Sequence, residues 1–494
     1  MAYPLTFITF FPLVGAVLLL FLPKEKPEWA RWTALAATIP PLLVSFWIFL
    51  TFDRSLTGLQ FLEGPFDWIP AFHIQYTMGI DGLSLPLILL TAIICPICVI
   101  ASWGITKSVR AYFALFLLLD AGMMGVFCAL DWFLFYIFWE VMLLPMYFLI
   151  GIWGGPRREY AAIKFFLYTL LGSVLMLLVM LAFYFYSDGN VFNLVMLKDQ
   201  ATHLGPLTQT GFRTACWFAL FICFAVKIPA FPFHTWLPDA HVEAPTAISV
   251  ILAGVLLKMG IYGILRINYW LLPDMTVHFA QLMVVIGVIN IIYGALCAMA
   301  QTDFKKLIAY SSISHMGFCL LGMSSFTPEG INGAVLQMFN HGTITAMLFL
   351  LVGVIYDRAH HRDLDKFGGL ATTMPRYAVM TAFAFFAALG LPGLSGFISE
   401  VLCFLGGFKV WPLYTIISAL GVVLTAAYML WTYQKVFLGP VNEKYKGLPE
   451  INSREMVTLV PLVIIVLILG VYPKPMLDLM NSSLTALSGL MQTY

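Results

Sequence analysis

Apolar residues run along most of the chain in stretches of about 20, the length that an α-helix needs to cross a lipid bilayer. Short polar segments, many of them containing glycine or proline, separate these stretches. The longest separating segments, 52–81, 187–211 and 438–455, are too short to hold a soluble domain. The pattern predicts 14 membrane spans, at approximately residues 4–22, 29–51, 82–103, 111–130, 132–153, 161–186, 212–233, 246–272, 277–300, 305–325, 330–356, 375–408, 412–437 and 456–472.

Two sets of five spans share one layout. They start 166 residues apart, and each set contains a span interrupted by proline, at Pro229 and Pro232 in the first set and at Pro392 in the second. Because five is odd, the two sets enter the membrane from opposite sides, as inverted repeats do in transporter-like folds. We therefore expect an all-α polytopic membrane protein of about 14 transmembrane helices, with two inverted five-helix repeats that each contain a proline-broken helix. The predicted divisions are three N-terminal helices in 1–110, the repeats in 111–272 and 277–437, and a last helix with its tail in 438–494.

Composition and charge support this class. Hydrophobic residues make up 61% of the 494 and charged residues 10%, which excludes an ordinary soluble domain. Alternating connections place 18 basic residues on one side of the membrane and six on the other, with Lys227 and Lys258 left inside. By the positive-inside rule the basic side is the cytoplasm or mitochondrial matrix, and both termini lie on the opposite face. All eight cysteines fall in apolar segments, so the C-x-x-C pair Cys95 and Cys98 favours helix packing over a metal or redox site.

Few ionisable side chains lie deep inside the predicted spans. The charged ones are Asp120, Glu140, Lys227, Lys258 and Glu400, and the histidines are His315 and His341. A charge at this depth costs roughly 2.5–3.5 kcal/mol on insertion scales, so its presence indicates a function. Structural explanations remain open for some of these residues: helix packing for the aspartate, a structural ion pair for Glu140, and hydrogen bonds to neighbouring helices for the two histidines.

The two buried lysines carry the strongest signal. Lys227 directly precedes the two-proline break, and Lys258 lies 31 residues further along, in the middle of the next apolar segment. Desolvation disfavours the charged form of a lysine, and a nearby carboxylate restores it. Lys227 paired with Glu140 would hold its proton and, once unpaired, would release it. Histidine can pass protons onward near neutral pH.

Five stretches together resemble one known family, the antiporter-like subunits of respiratory complex I. They are Phe138–Glu140, Lys227–Thr246, Leu252–Arg266, Tyr310–Gly317 and Gly390–Glu400. A glutamate in place of lysine in the twelfth span is typical of the subunit M type, which corresponds to mitochondrial subunit 4. The resemblance extends over essentially the whole chain.

The resemblance implies a proton-translocating subunit in the membrane arm of NADH-quinone oxidoreductase. Glu140 and Lys227 would form the coupling pair, Lys258 would be the central proton carrier, and His315 and His341 would relay protons along a hydrated axis to Glu400. Asp120, His234 and His241 are secondary candidates. The chain itself would bind no cofactor or metal, because NADH, FMN, iron–sulfur clusters and quinone belong to partner subunits of the family.

The same resemblance sets the expected surroundings of the chain. Its partners would be neighbouring antiporter-like membrane-arm subunits and the lipid bilayer, with no nucleic acid. We expect the bacterial inner membrane, with periplasmic termini, in preference to the mitochondrial inner membrane.

Three alternatives remain open on sequence grounds. An Mrp-type Na⁺/H⁺ antiporter subunit shares the two-lysine framework but exchanges sodium without a redox partner, and a membrane-bound hydrogenase subunit is a related option. A structural scaffold with inert buried ion pairs belongs to a different class. It predicts that neutralising Lys227 and Lys258 together leaves pumping untouched.

Overall fold

The computed structural model describes residues 1–201, 203 and 205–494 as a helical bundle. Two residues of the predicted connection 187–211, Thr202 and Leu204, lie outside the described part. The first half of the chain forms helices α1 Pro4–Phe21, α2 Pro27–Thr51, α3 Ser84–Ala101, α4 Val109–Cys128, α5 Trp132–Val141, α6 Leu143–Trp153, α7 Arg158–Tyr186, α8 Leu194–Gln200, α9 Thr210–Lys227 and α10 Trp236–Glu243, with strands β1 Gln60–Ile69 and β2 Ile74–Ile80 between α2 and α3.

The second half contains the most deeply buried helices. Its helices are α11 Thr246–Ile251, α12 Leu257–Gly263, α13 Tyr269–Leu271, α14 Pro273–His278, α15 Ala280–Met299, α16 Phe304–Met323, α17 Pro328–Ala359, α18 Leu370–Thr373, α19 Pro375–Ala388, α20 Ser395–Val410, α21 Pro412–Phe437, α22 Ser453–Val471 and α23 Lys474–Met491. The continuous segment Thr246–Leu271 and helix α17 are buried throughout their apolar cores, so they form the centre of the bundle.

The membrane-spanning character agrees with the sequence pattern. Among the described residues, 12 helices are long and apolar enough to cross a membrane. The predicted span 305–325 is the 20-residue helix α16, which carries the polar run around His315. The predicted span 375–408 is divided between α19 and α20, each too short to cross alone. The predicted all-α membrane fold is therefore confirmed, while the division into 1–110, 111–272, 277–437 and 438–494 stays a prediction.

Both predicted proline breaks are present. Helix α9 ends at Lys227, and α10 begins only at Trp236. The Asn290 side chain closes this gap, because its Oδ1 accepts from Phe231 N–H at 2.8 Å and its Nδ2 reaches Pro229 O at 3.4 Å. The second break lies between α19 and α20, where Gly390 and Gly393 adopt the left-handed backbone conformation that glycine tolerates best.

Three further irregularities were absent from the sequence prediction. Helices α5 and α6 are separated at Met142, directly after Glu140 and Val141. The central segment Thr246–Leu271 contains two π-helical turns, Leu252–Leu256 and Ile264–Asn268, on either side of Lys258. Such wide turns occur frequently at functional sites.

The connection after α2 and the C-terminal tail form one structure on the face that carries both termini. Strands β1 and β2 make an antiparallel hairpin, which is the one sheet in the described part of the chain. Helix α23 buries one face, including Leu479 and Leu484, and its Ser483 hydroxyl accepts from Gly82 N–H at 2.9 Å. The C-terminal tail is thus a helix that packs on the bundle.

Candidate proton pathway

Lys258 occupies the centre of the bundle with no exposed surface. Its Nζ donates to the carbonyl of Ala253, within the preceding π turn, and lies 2.7 Å from Nδ1 of His341 on α17. Two glycines allow this approach. A Cβ on Gly342 would lie 2.9 Å from the carbonyl oxygen of Gly254, so any larger side chain would push the two helices apart.

The pathway continues from His341 to Glu400. The His341 and His315 rings lie with their centroids 5.5 Å apart, and Nδ1 of His315 is 3.1 Å from Oε1 of Glu400. All three side chains are more than nine-tenths buried. The second helix break leaves room for the carboxylate. A Cβ on Gly390 would lie 2.9 Å from Oε2 of Glu400, so glycine at this position lets the carboxylate approach the backbone.

A small cavity of about 10 Å³ connects the two histidines and the glutamate. His315, His341, Glu400 and Gln337 supply its polar lining. The Nε2 atoms of both histidines are buried without a hydrogen-bond partner among the described residues. A polar cavity of this size holds about one water molecule, which can bridge groups too far apart for a direct hydrogen bond.

The predicted pair Glu140 and Lys227 lies in a second polar site. Within the described part of the chain the pair forms no ion pair at 4.0 Å or less, and both Lys227 Nζ and Oε1 of Glu140 are buried without a hydrogen-bond partner. The two groups still interact electrostatically. Lys227 Nζ lies instead 5.0 Å from the ring centroid of Trp139, a cation–π geometry. Lys227 and Glu140 thus interact electrostatically without forming a direct ion pair.

The secondary candidates lie beside these sites. Asp120 accepts a hydrogen bond from Cys95 Sγ at 3.1 Å, and Nε2 of His234 is 3.3 Å from the Tyr293 hydroxyl. His241 stacks on an aromatic ring of α17, and both its ring nitrogens lack partners among the described residues. It interacts electrostatically with Lys258.

The eight cysteines are free thiols. Cys95 donates to Asp120 as described, and Cys98 Sγ lies 3.5 Å from the carbonyl of Ala247. The C-x-x-C pair therefore serves hydrogen bonding inside the bundle, in keeping with the packing interpretation.

Sequence reasoning missed two buried cations. Arg266 has no exposed surface and binds Asp81 through two hydrogen bonds of 2.7 and 2.8 Å. Burial acts to raise the pKa of Asp81, but the Arg266 guanidinium and two backbone amides outweigh it and hold that pKa below its ordinary value. Lys305 is almost fully buried and donates to Ala244 O at 2.6 Å. Its position beside a predicted membrane edge indicated exposure. The sequence could not show its burial, because the carbonyl that Lys305 binds comes from the end of a distant helix, α10.

Comparisons with known proteins agree on one family. A family described as the transmembrane region of NADH:quinone oxidoreductase and Mrp antiporters matches residues 129–426, and the amino terminus of NADH-ubiquinone oxidoreductase chain 4 matches residues 7–128. The NADH-quinone oxidoreductase subunit M of Rhodobacter capsulatus is 44% identical over 99% of this chain and 96% of its own length.

Solved structures show the same fold. A chain of respiratory complex I from Thermus thermophilus superposes with a TM-score of 0.89 at 30% identity, covering 99% of both chains. A chain of the Mrp complex from a Dietzia species has a TM-score of 0.86 at 21% identity, again over 99% of both, and this likeness concerns the fold alone. The chain belongs to the NADH-quinone oxidoreductase subunit M family, the antiporter-like membrane subunits of respiratory complex I.

Proposed function

We propose that this chain carries protons across the membrane along the order Lys258, His341, His315 and Glu400. The observation that supports the proposal is the spacing of these groups. The first and last contacts are 2.7 and 3.1 Å, within hydrogen-bond reach, and a polar cavity spans the 5.5 Å between the two rings. Four titratable side chains at this depth are costly, and a shared proton path explains their presence together.

Each step of the proposed path uses a contact already in place. The Lys258 ammonium gives a proton to the unprotonated Nδ1 of His341. A water in the cavity passes a proton from the Nε2 of His341 to that of His315. The imidazolium of His315 then gives its Nδ1 proton to the Glu400 carboxylate. Glu400 is the terminal group of the proposed path because it follows the second helix break, between α19 and α20.

The pair Glu140 and Lys227 would bias this path. At about 4 Å and an effective dielectric of about 20, two opposite unit charges attract by roughly 4 kcal/mol, and the attraction halves when their separation doubles. Moving one proton against 100 mV costs about 2.3 kcal/mol. Opening the gap between this carboxylate and ammonium from about 4 Å to about 12 Å changes the attraction by roughly 2.8 kcal/mol, which is enough to drive one charge.

The energy source lies outside this chain. We propose that quinone reduction elsewhere in the complex moves Glu140 relative to Lys227, and that NADH, FMN, iron–sulfur clusters and quinone are bound by partner subunits. The neighbours of the chain in the membrane arm would be other antiporter-like subunits. The bacterial relatives support a bacterial inner membrane, and the excess of basic residues on the opposite side supports periplasmic termini.

The test uses the intact complex in proteoliposomes, with protons counted per quinone reduced. Lys258→Met fills the same space without the charge, so we expect assembly and quinone reduction to continue while the proton count falls. Lys474→Met removes an exposed lysine at the start of α23 and serves as the control. Full proton counts in Lys258→Met would refute the path.

The same vesicles separate this function from sodium exchange. Proton movement should continue when sodium is replaced by potassium and should require NADH and quinone. Sodium-dependent proton exchange in the absence of both would favour the Mrp-type alternative.

A further inference from the structure

A groove unrelated to the proton pathway lies where α1 ends and where α2 and α4 begin. Its volume is about 470 Å³, within the range of small-molecule sites. The charged side chains that line it are Lys24 and Arg110, and the hydroxyls are those of Thr106 and Ser108. The groove is therefore basic at one membrane edge.

The two cations are not neutralised by a carboxylate within the described part of the chain. Neither Lys24 nor Arg110 forms an ion pair in the described part of the molecule, whereas nearby Arg31 is paired with Glu28. One terminal nitrogen of Arg110 donates to the carbonyls at the end of α1, Leu22 among them. Its other N–H groups have no partner among the described residues and can bind an anion.

The start of α4 adds further donors. Ser108, in the left-handed conformation, precedes α4 without capping it through its side chain. The first amides of this 20-residue helix thus receive no cap from the Ser108 side chain and have no side-chain partner among the described residues, and the positive end of the helix dipole lies at the groove. Charge and donors together favour a phosphate-type anion.

The opposite wall of the groove is apolar. Leu20, which is 66% exposed, lines it together with the buried Leu19, and the next residue of α1, Phe21, is 81% exposed. Trp29 and Trp32, both more than half exposed, lie at the same membrane edge, where tryptophan is enriched. A free phosphate would leave this apolar wall uncovered, whereas the acyl chain of a lipid would cover it.

We propose that this groove binds one anionic phospholipid. Its phosphate lies between Lys24 and Arg110, and an acyl chain runs along the exposed face of α1. Basic pockets between membrane helices are sites of this kind. The site stands on the unpaired cations and the apolar wall, and it does not depend on the proposed proton path.

The test is photocrosslinking in the intact complex, reconstituted with a diazirine-bearing phosphatidylglycerol in a phosphatidylcholine bilayer. Peptide mapping should find crosslinks at residues 17–24 and 104–112. Each cation near the surface contributes about a five-fold gain in anionic-lipid affinity. Crosslinking at these peptides should therefore fall roughly five-fold in Lys24→Gln and roughly 25-fold when Arg110→Gln is added.

Matched controls keep the test sharp. Lys444→Gln removes an exposed cation that forms no ion pair among the described residues, and it should leave these crosslinks unchanged. Lys24→Gln alone suffices if Arg110→Gln disturbs the end of α1. Equal crosslinking by a diazirine phosphatidylcholine would overturn the proposal, as would displacement by millimolar inorganic phosphate. Occupation of the two peptides by another subunit, seen by protein crosslinking, would also overturn it.

Discussion

The close contact between Gly342 and Gly254 offers a graded test of how the central helices set the pathway. A Cβ on Gly342 would lie 2.6 Å from Leu90 Cδ2 and 2.9 Å from the backbone oxygen of Gly254. The leucine methyl can rotate away, but the carbonyl is fixed in the π turn. Ordinary contact begins at 3.4 Å, so Gly342→Ala must separate the two segments by about 0.5 Å.

That displacement acts on the first step of the pathway. Added to the 2.7 Å between Lys258 and His341, it brings the separation to about 3.2 Å, the upper limit of a normal hydrogen bond. Overpacking of this kind typically costs 1–3 kcal/mol, with Gly342→Val above Gly342→Ala. We expect proton pumping to fall several-fold in the alanine variant and at least ten-fold in the valine variant, since about 1.4 kcal/mol corresponds to a factor of ten.

The assay is the rate of quinone-linked proton uptake in proteoliposomes, normalised to assembled complex. Gly489→Ala, in α23, is the matched control, because a Cβ there meets nothing within 4 Å. Wild-type pumping in Gly342→Val would refute the argument that glycine at this contact sets the Lys258 to His341 distance.

Three further predictions concern charged pairs. Lys227→Ala and Glu140→Ala should each suppress proton pumping together with quinone reduction, with Glu140→Asp milder because it keeps the charge; wild-type rates of both pumping and quinone reduction in both alanine variants would argue against the coupling pair. Trp139→Phe should weaken pumping less than Trp139→Leu, since phenylalanine keeps part of the cation–π attraction. Equal pumping rates in the two variants would show that the aromatic ring does not contribute. Asp81→Asn leaves Arg266 buried without its partner, which should cost about 3–5 kcal/mol of stability at neutral pH. Because the folded pKa of Asp81 is below its ordinary value, this difference should shrink as the pH falls through the lowered pKa; a thermal midpoint gap independent of acid pH would contradict the ion pair.

Much of the site follows from sequence because membrane burial makes each ionisable residue conspicuous. Lys258, His341 and Glu400 stand out against apolar neighbours, and proline and glycine mark the helix breaks. That these side chains form a contiguous row could not be predicted from the sequence. It depends on how α16, α17 and α20 rotate and approach one another, which in turn depends on contacts such as that of Gly342 with a distant carbonyl.

Other features escaped prediction for related reasons. The π turns around Lys258 have the same apolar composition as an α-helix, so periodicity does not reveal them. The hairpin β1–β2 lies in a connection whose strands pair mainly with each other. Lys305 looked like an edge cation, and only the approach of the α10 terminus buries it. The position of the Lys227 ammonium near the Trp139 ring depends on three-dimensional packing and could not be predicted from the sequence.

The central claim is that His341 and His315 lie in series on one proton path. Initial proton-pumping rates of His341→Gln, His315→Gln and the double variant test it most directly. Delays at two steps of one path add and do not multiply, so the double variant should be slowed by no more than the sum of the two single delays. Wild-type pumping in either single variant, or a double variant slower than both in proportion to the product of their losses, would contradict the account.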